Sequence, residues 1–135
     1  MKPLISLVIP IFNEEENVNE LYDRSKQTLK KVGSHEIIFI NDGSRDRTLE
    51  KILEIANKDK SVKIIDFSRN FGHQTAITAG MDSSQGEATV IMDGDLQDTP
   101  ETIPELVKKW KEGYEVVYAK RRTRKDSLFK RITAY

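Results

Sequence analysis

Thr89-Val90-Ile91-Met92-Asp93-Gly94-Asp95-Leu96-Gln97-Asp98 couples a short β-branched and apolar run to an Asp-Gly-Asp turn. A run of that length, bounded by turn residues, reads as a buried strand. Two carboxylates therefore leave the sheet at its C-terminal edge, where open α/β sheets take their ligands. Asp93 and Asp95 are spaced to converge on one hard divalent cation, and Gln97 adds a third oxygen. A turn with Asp98 or Thr99 capping the next helix is the plainer description of the same residues. The surroundings of the stretch decide between the two.

Upstream lie three more strands of this kind. Leu4 to Ile9 is an almost unbroken apolar run that stops at Pro10, which cannot donate to a ladder, and it reads as a central parallel strand. Asn13 is expected to cap the following helix, with Glu16 as its capping-box partner and Val18, Leu21, Tyr22, Leu29 and Val32 at helical spacing up to Gly33. Glu36 to Ile40 is the second strand and runs into Asn41-Asp42-Gly43-Ser44. Asp46 is placed to cap a helix whose inward face is Leu49, Ile52, Leu53 and Ala56. Val62 to Phe67 is the third strand. Gly72 opens a helix whose small residues, Ala76, Ala79 and Gly80, let its backbone approach the sheet or a ligand. Downstream, Thr102 with Glu105 forms a capping box around Pro104. Ile103, Leu106, Val107 and Trp110 face inward, with Trp110 assigned to packing, and Tyr114 to Ala119 is a fifth strand. Strict alternation with short connections predicts an α/β fold: a doubly wound, mainly parallel sheet with helices on both faces.

The 135 residues suit about one domain, and 37% hydrophobic with 33% charged residues is a globular composition. No apolar run is long enough to span a bilayer. The lack of cysteine excludes a disulfide framework and a thiolate nucleophile and fits the cytosol. The formal net charge of zero hides an asymmetry, because from Lys120 onward seven Lys or Arg face the single Asp126. Residues 120–135 are thus a basic arm on an acidic 1–119 domain, either a solvated face or a surface for anionic lipid or phosphate.

If the strands are parallel, four polar clusters share one edge: Pro10 to Glu14, Asp42 to Ser44, Ser68 to Gly72, and Asp93 to Gln97. Asp42 can accept a hydrogen bond from a base imide, with Gly43 and Ser44 making a tight turn beside it. Arg69, just before a helix whose first amides attract anions, can help hold a diphosphate, or can lie on the surface beside Phe71. His73 is either a polar residue of a first helical turn or a catalytic group. Neither Gly-x-Gly-x-x-Gly after the first strand, nor a P-loop, nor Gly-x-Ser-x-Gly is present, which argues against dinucleotide dehydrogenases, P-loop NTPases and α/β-hydrolases.

Taken in order, Val8-Ile9-Pro10-Ile11-Phe12-Asn13-Glu14, Ile40-Asn41-Asp42-Gly43-Ser44-Arg45-Asp46, Arg69-Asn70-Phe71-Gly72-His73-Gln74 and Met92-Asp93-Gly94-Asp95-Leu96-Gln97-Asp98 resemble the family-2 inverting glycosyltransferases of GT-A fold. They are most similar to the polyprenyl-phosphate branch, which includes dolichol-phosphate mannose synthases, bactoprenol glucosyltransferases and undecaprenyl-phosphate aminoarabinose transferases. The resemblance implies that Pro10, Phe12 and Glu14 line a nucleoside pocket, that Asp42 contacts the base, that Arg69 sits by the donor phosphates, and that Gly43, Ser44, Gly72, Asp93 and Gly94 belong to the same donor nucleotide site. Asp93, Asp95 and Gln97 would hold Mg²⁺ or Mn²⁺. Asp95 and Arg121 would serve catalysis, and Arg124 and Arg131 the acceptor phosphate.

The implied reaction is an in-line displacement at the anomeric carbon of a nucleotide-diphosphate sugar, UDP-sugar favoured over GDP-sugar, by a polyprenyl phosphate. The implied setting is the cytoplasmic face of a membrane, with the basic arm on anionic lipid, no nucleic-acid partner, and homo-oligomerisation left open. Relatives continue past this length, so the chain is expected to be a donor-binding N-terminal fragment that turns over little alone, ending in a helix begun near Ser127. A glycan or protein acceptor is the alternative within the family. Outside it stand a non-catalytic nucleotide-binding domain and a receiver-type module, the latter disfavoured because the third strand ends Phe67-Ser68-Arg69 instead of in an Asp.

Overall fold

The computed structural model of the chain describes residues 2–115, 117–121 and 129–134. Two compact units divide it, Met1–Pro100 and Glu101–Tyr135. In the first, β1 (Ile5–Ile11), β2 (His35–Asn41), β3 (Val62–Asp66) and β4 (Ala88–Ile91) form one sheet in the order β3-β2-β1-β4, parallel throughout. α1 (Val18–Val32), α2 (Thr48–Lys58) and α3 (His73–Ser83) connect successive strands. All seven residues of β1 are buried, as the apolar run requires of a central strand covered on both faces. The chain steps outward from β1 to β3 and then crosses back to lay β4 on the other side of β1. Strand order therefore reverses between β1 and β4, and the crevice of a doubly wound sheet opens at such a point.

Right-handed crossovers put α1 and α2 on one face and α3 on the other. On the α3 face Val8, Ile38, Ile40 and Ala76 pack together with Ile65 and Phe67. The small residues of α3 act as their pattern implies: a methyl group at Gly80 would lie 2.4 Å from Val8 Cγ1 and 2.8 Å from Ile40 Cδ1. Lower on the same face, buried Glu36 accepts hydrogen bonds from Ser6 Oγ and Gln85 N and pairs with Lys63, while Gly86 N donates to Ser6 Oγ. Burial alone would raise the Glu36 pKa; the bonds from Lys63, Ser6 and Gln85 overcome it and hold the carboxyl below its usual range.

A second polar knot joins α1, α2 and β3. Asp59 Oδ2 accepts from the Tyr22 hydroxyl at 2.6 Å and lies 3.1 Å from Lys26 Nζ, while its Oδ1 accepts from the amide and hydroxyl of Ser61. Lys26 also donates to Ser61 Oγ and faces His35 Nε2.

Several local expectations change. α1 begins at Val18, not after Asn13, because the Asn13 and Glu14 amides donate to Ser44 Oγ of the next loop and to Thr48 Oγ1 at the start of α2, leaving a turn at 14–17. Leu53 is 52% exposed and falls outside the buried stripe of α2. Thr102 makes no side-chain cap, since a 3₁₀ turn over Pro100–Thr102 leads into α4 (Ile103–Lys111). In the second unit the fifth strand, β5, spans Val117–Arg121 and pairs antiparallel with β6 (Phe129–Ala134), where a helix begun near Ser127 was expected. The ladder with β5 pairs one edge of β6, and adjacent β-branched Ile132 and Thr133 suit a strand. Residues 122–128 lie outside the described residues.

Asp59 generates a stability prediction. Burial would raise its pKa, but bonds from Tyr22, Ser61 and Lys26 hold it well below the usual carboxylate range. A lowered folded pKa means stability that is fully present above the unfolded value of about 4 and is lost as pH falls below it. Asp59→Asn should cost about 1–3 kcal/mol in urea denaturation at pH 7, and the gap to the parent should narrow at pH 3.

Candidate functional site

The C-terminal edge of the sheet begins with two loops laced to each other. Asp42 N donates to Ile11 O, and Asn13, held at φ +52°, accepts from Arg45 N at 2.8 Å. Glu15 N donates to Asp46 Oδ2, and Lys51 Nζ to Glu15 O. Asp46 Oδ1 also accepts from Thr48 N and Oγ1, but Arg47, not Asp46, stands at the N-cap of α2, so the expected Asp46 cap gives way to a turn that binds the first residue of the helix. Of the three residues assigned to a nucleoside pocket, Phe12 is 42% exposed and offers an open ring. Pro10 is buried within β1, and half-buried Glu14 accepts from Asn17 Nδ2.

Asp42 is only 5% exposed, and its two oxygens accept from the backbone amides of Phe71 (2.7 Å) and Gly72 (3.2 Å). It thus pins the segment that starts α3, with its charge at the positive end of that helix. Gly43 completes the clamp: at φ +74° a Cβ there would lie 2.4 Å from Asn70 N, so only glycine fits. Arg69 lays its guanidinium 3.9 Å over the Phe71 ring, which meets Phe67 edge-on at 5.4 Å.

The third component follows β4. Met92 N donates to Val8 O, so by strand alternation Pro10 also points toward β4, where it has no N–H to offer. The β1–β4 ladder ends at Val8 and Ile91, and the chain turns. A methyl group at Gly94 would lie 3.1 Å from Ile11 Cγ1 and 3.3 Å from Pro10 O, so the turn is seated directly against the end of β1. Asp98 Oδ2 accepts from Asp93 N and Asp95 Oδ1 from Gln97 N, with Leu96 between them at φ +65°.

His73, the first residue of α3, places Nε2 3.3 Å from Asp93 Oδ1. Sequence reasoning had no partner for His73; its place on a first helical turn directly after the polar cluster Ser68 to Gly72 was the only signal. Among the described residues no group of three or more His, Cys, Asp or Glu side chains could form a protein-only metal cage. Asp93, Asp95 and Gln97, on one turn, are side chains that could supply part of the oxygen shell of Mg²⁺ or Mn²⁺, with substrate phosphates supplying the rest. Arg121 and Arg131 belong to β5 and β6 of the second unit; their side chains, and all of Arg124, lie outside the described residues.

Residues 6–135 match the model of glycosyl transferase family 2, and the chain belongs to that family. Its relatives include the uncharacterized glycosyltransferase YkcC of Bacillus subtilis (strain 168), 55% identical over 131 residues that cover 96% of this chain and 41% of YkcC. The bactoprenol glucosyl transferase of Shigella phage SfV is 47% identical, over 96% of this chain and 43% of its own length. An undecaprenyl-phosphate 4-deoxy-4-formamido-L-arabinose transferase of Proteus mirabilis (strain HI4320) is 40% identical, over 96% and 40%. The chain thus spans about two fifths of the curated relatives it matches. In fold it is similar to the mannosyltransferase PcManGT from Pyrobaculum calidifontis, solved with GDP-Man and Mn²⁺, at TM-score 0.75 and 19% identity over 94% of this chain and 38% of that one. S. aureus TarS in complex with UDP gives 0.66 and 25% over 81% and 32%.

If Asp42 holds the start of α3, Asp42→Ala should speed amide exchange at Phe71 and Gly72 by tenfold or more and lower stability by about 1–3 kcal/mol. Exchange rates resolved by NMR check both amides, and unchanged rates would show that the segment is held by something else.

Proposed function

We propose that this chain is the donor-binding part of a metal-dependent inverting glycosyltransferase that moves a sugar from a nucleotide-diphosphate sugar to a polyprenyl phosphate. The observation that carries it is the pooling of the Asp42 clamp, the exposed rings of Phe12 and Phe71, and the Asp93-Gly94-Asp95 turn along one sheet edge. Phe12 offers a face for stacking the base. Asp42, with acceptor directions beyond the two amides it binds, accepts from a base imide or ring N–H, and UDP-sugar is the favoured donor with GDP-sugar as the alternative. Gly43 and Ser44 shape the turn beside that base, and Pro10 and Glu14 complete the wall of the pocket. Arg69, the Gly72 end of α3 and Gly94 border the donor phosphates.

Asp93, Asp95 and Gln97 would hold Mg²⁺ or Mn²⁺, and the ion, when bound, neutralises charge growing on the departing diphosphate. Asp95 and Arg121 are each assigned to catalysis. An oxygen of the acceptor phosphate attacks the anomeric carbon as the bond to the diphosphate oxygen breaks, which inverts that carbon. The attacking oxygen is already anionic, so no strong base is required. Arg124 and Arg131 are assigned to the acceptor phosphate, in a 120–135 arm that follows the 1–119 donor region.

The names of the bactoprenol and undecaprenyl-phosphate relatives support the lipid acceptor over a glycan or protein. The arm fits an anionic membrane surface at the cytoplasmic face, each Lys or Arg near lipid contributing about 1 kcal/mol. Among the described residues no helix is long and apolar enough to cross a membrane.

A thermal-shift panel of UDP-, GDP- and CDP-sugars, with and without Mn²⁺, tests the donor site. Ligand at about 100 times its Kd should add roughly 2.7 kcal/mol, most with UDP-sugar plus Mn²⁺, and Asp95→Ala should remove the metal-dependent part. No stabilisation by any of the sugars would refute the proposal.

A further inference from the structure

We infer that His73 is a positioning residue, which orients the Asp93 carboxylate for a divalent cation and ties that carboxylate to the Asp42 clamp. This rests on the donor-site proposal and adds to it a residue that the motif's own oxygens do not include. His73 Nε2 lies 3.3 Å from Asp93 Oδ1 although the two residues are far apart in sequence, one opening α3 and the other in the turn that follows β4. The start of α3 is not adjustable, because the amides of Phe71 and Gly72 are bound by an Asp42 that is only 5% exposed. His73 therefore reaches Asp93 from a fixed anchor two residues away.

On its other side Asp93 is fixed through its amide, which donates to Asp98 Oδ2. A carboxylate offers about four acceptor directions, so a ring nitrogen against one oxygen sets its plane without consuming the directions a cation needs. The two side chains are 59% and 48% exposed, and a pair so open to water contributes little to folding. Its use is therefore orientation. Partners of this kind behind a metal ligand typically change metal affinity by 10–100-fold when removed. The arrangement also makes one rigid path, Asp42 to Phe71 and Gly72 to His73 to Asp93, between the acid assigned to the base and the acid assigned to the ion.

The test is a titration of the chain with MnCl₂ alone and with UDP present, followed by the electron paramagnetic resonance of free Mn²⁺, on the parent, His73→Ala, His73→Gln and Asp95→Ala. His73→Ala should raise the Mn²⁺ midpoint 10–100-fold while the melting temperature without ligand stays put. His73→Gln, whose amide nitrogen reaches about as far as Nε2, should recover most of the affinity, which a merely structural role would not predict. Parent-like Mn²⁺ binding by His73→Ala, or a His73→Gln variant as impaired as His73→Ala, would overturn the inference. If Asp95→Ala loses Mn²⁺ in that experiment, the donor site stands without the His73 role. If Asp95→Ala also binds as the parent does, or the parent binds no Mn²⁺, both fall.

Discussion

Strand β1 cannot satisfy both of its neighbours along its whole length, and the functional edge follows from that constraint. Its seven residues are buried, and its ladder to β2 runs the full distance to Ile11 opposite Asn41. Its ladder to β4 stops three residues earlier, at Val8 opposite Ile91. Pro10 lies on the side that faces β4 and has no hydrogen to give, so extending the second ladder would leave a carbonyl without a donor. The chain after β4 turns away instead. Two parallel strands that part company at a reversal of strand order leave a crevice between them, and Asp93 to Gln97 is the segment that turns there.

A crevice is useful only if its walls stay where they are, and here they are held by polar groups removed from water. Asp42 is buried, and a buried carboxylate without donors would be costly; two backbone amides answer it. Those amides belong to the start of α3, whose first N–H groups have no partner within the helix. One contact therefore meets two needs. The loops after β1 and β2 use the same economy, each supplying the acceptors that the other's amides lack. Satisfaction of these groups by partners from the neighbouring loop, not loop shortness, holds the edge.

The separation of partners along the chain decides how much of this was legible. Strands β1 to β4, the helices between them and the carboxylate turn are written in local periodicity and turn chemistry, and reading residues a few positions apart is enough to find them. Asn13 was misread as a helix cap because its real partners, Ser44 and Arg45, are 31 and 32 residues away and were invisible to a local rule. Glu36 looked like an ordinary first residue of a strand, yet it binds Gln85 N across 49 residues. Asp42 was recognisable as an acceptor, but not its donors at 71 and 72. β6 was missed for the same reason, since its evidence is a ladder to β5 and not a pattern of its own.

Backbone strain collects at the same edge. Among the described residues the non-glycine positions with positive φ are Asn13 and Leu96, and both sit in loops that leave the C-terminal ends of strands. Asn tolerates that conformation, whereas a leucine there costs roughly 1–2 kcal/mol, so Leu96 must be held by what surrounds it. Asp95 accepting from Gln97 N, Asp98 accepting from Asp93 N and Gly94 seated on Pro10 and Ile11 are the contacts that hold it. A turn closed by its own carboxylates before any ligand arrives has already lost the freedom that binding would otherwise remove, so less of the interaction with a charged ligand is offset by ordering. The strain at Leu96 and the closure of the turn are then two sides of one constraint, because relaxing the first would loosen the second.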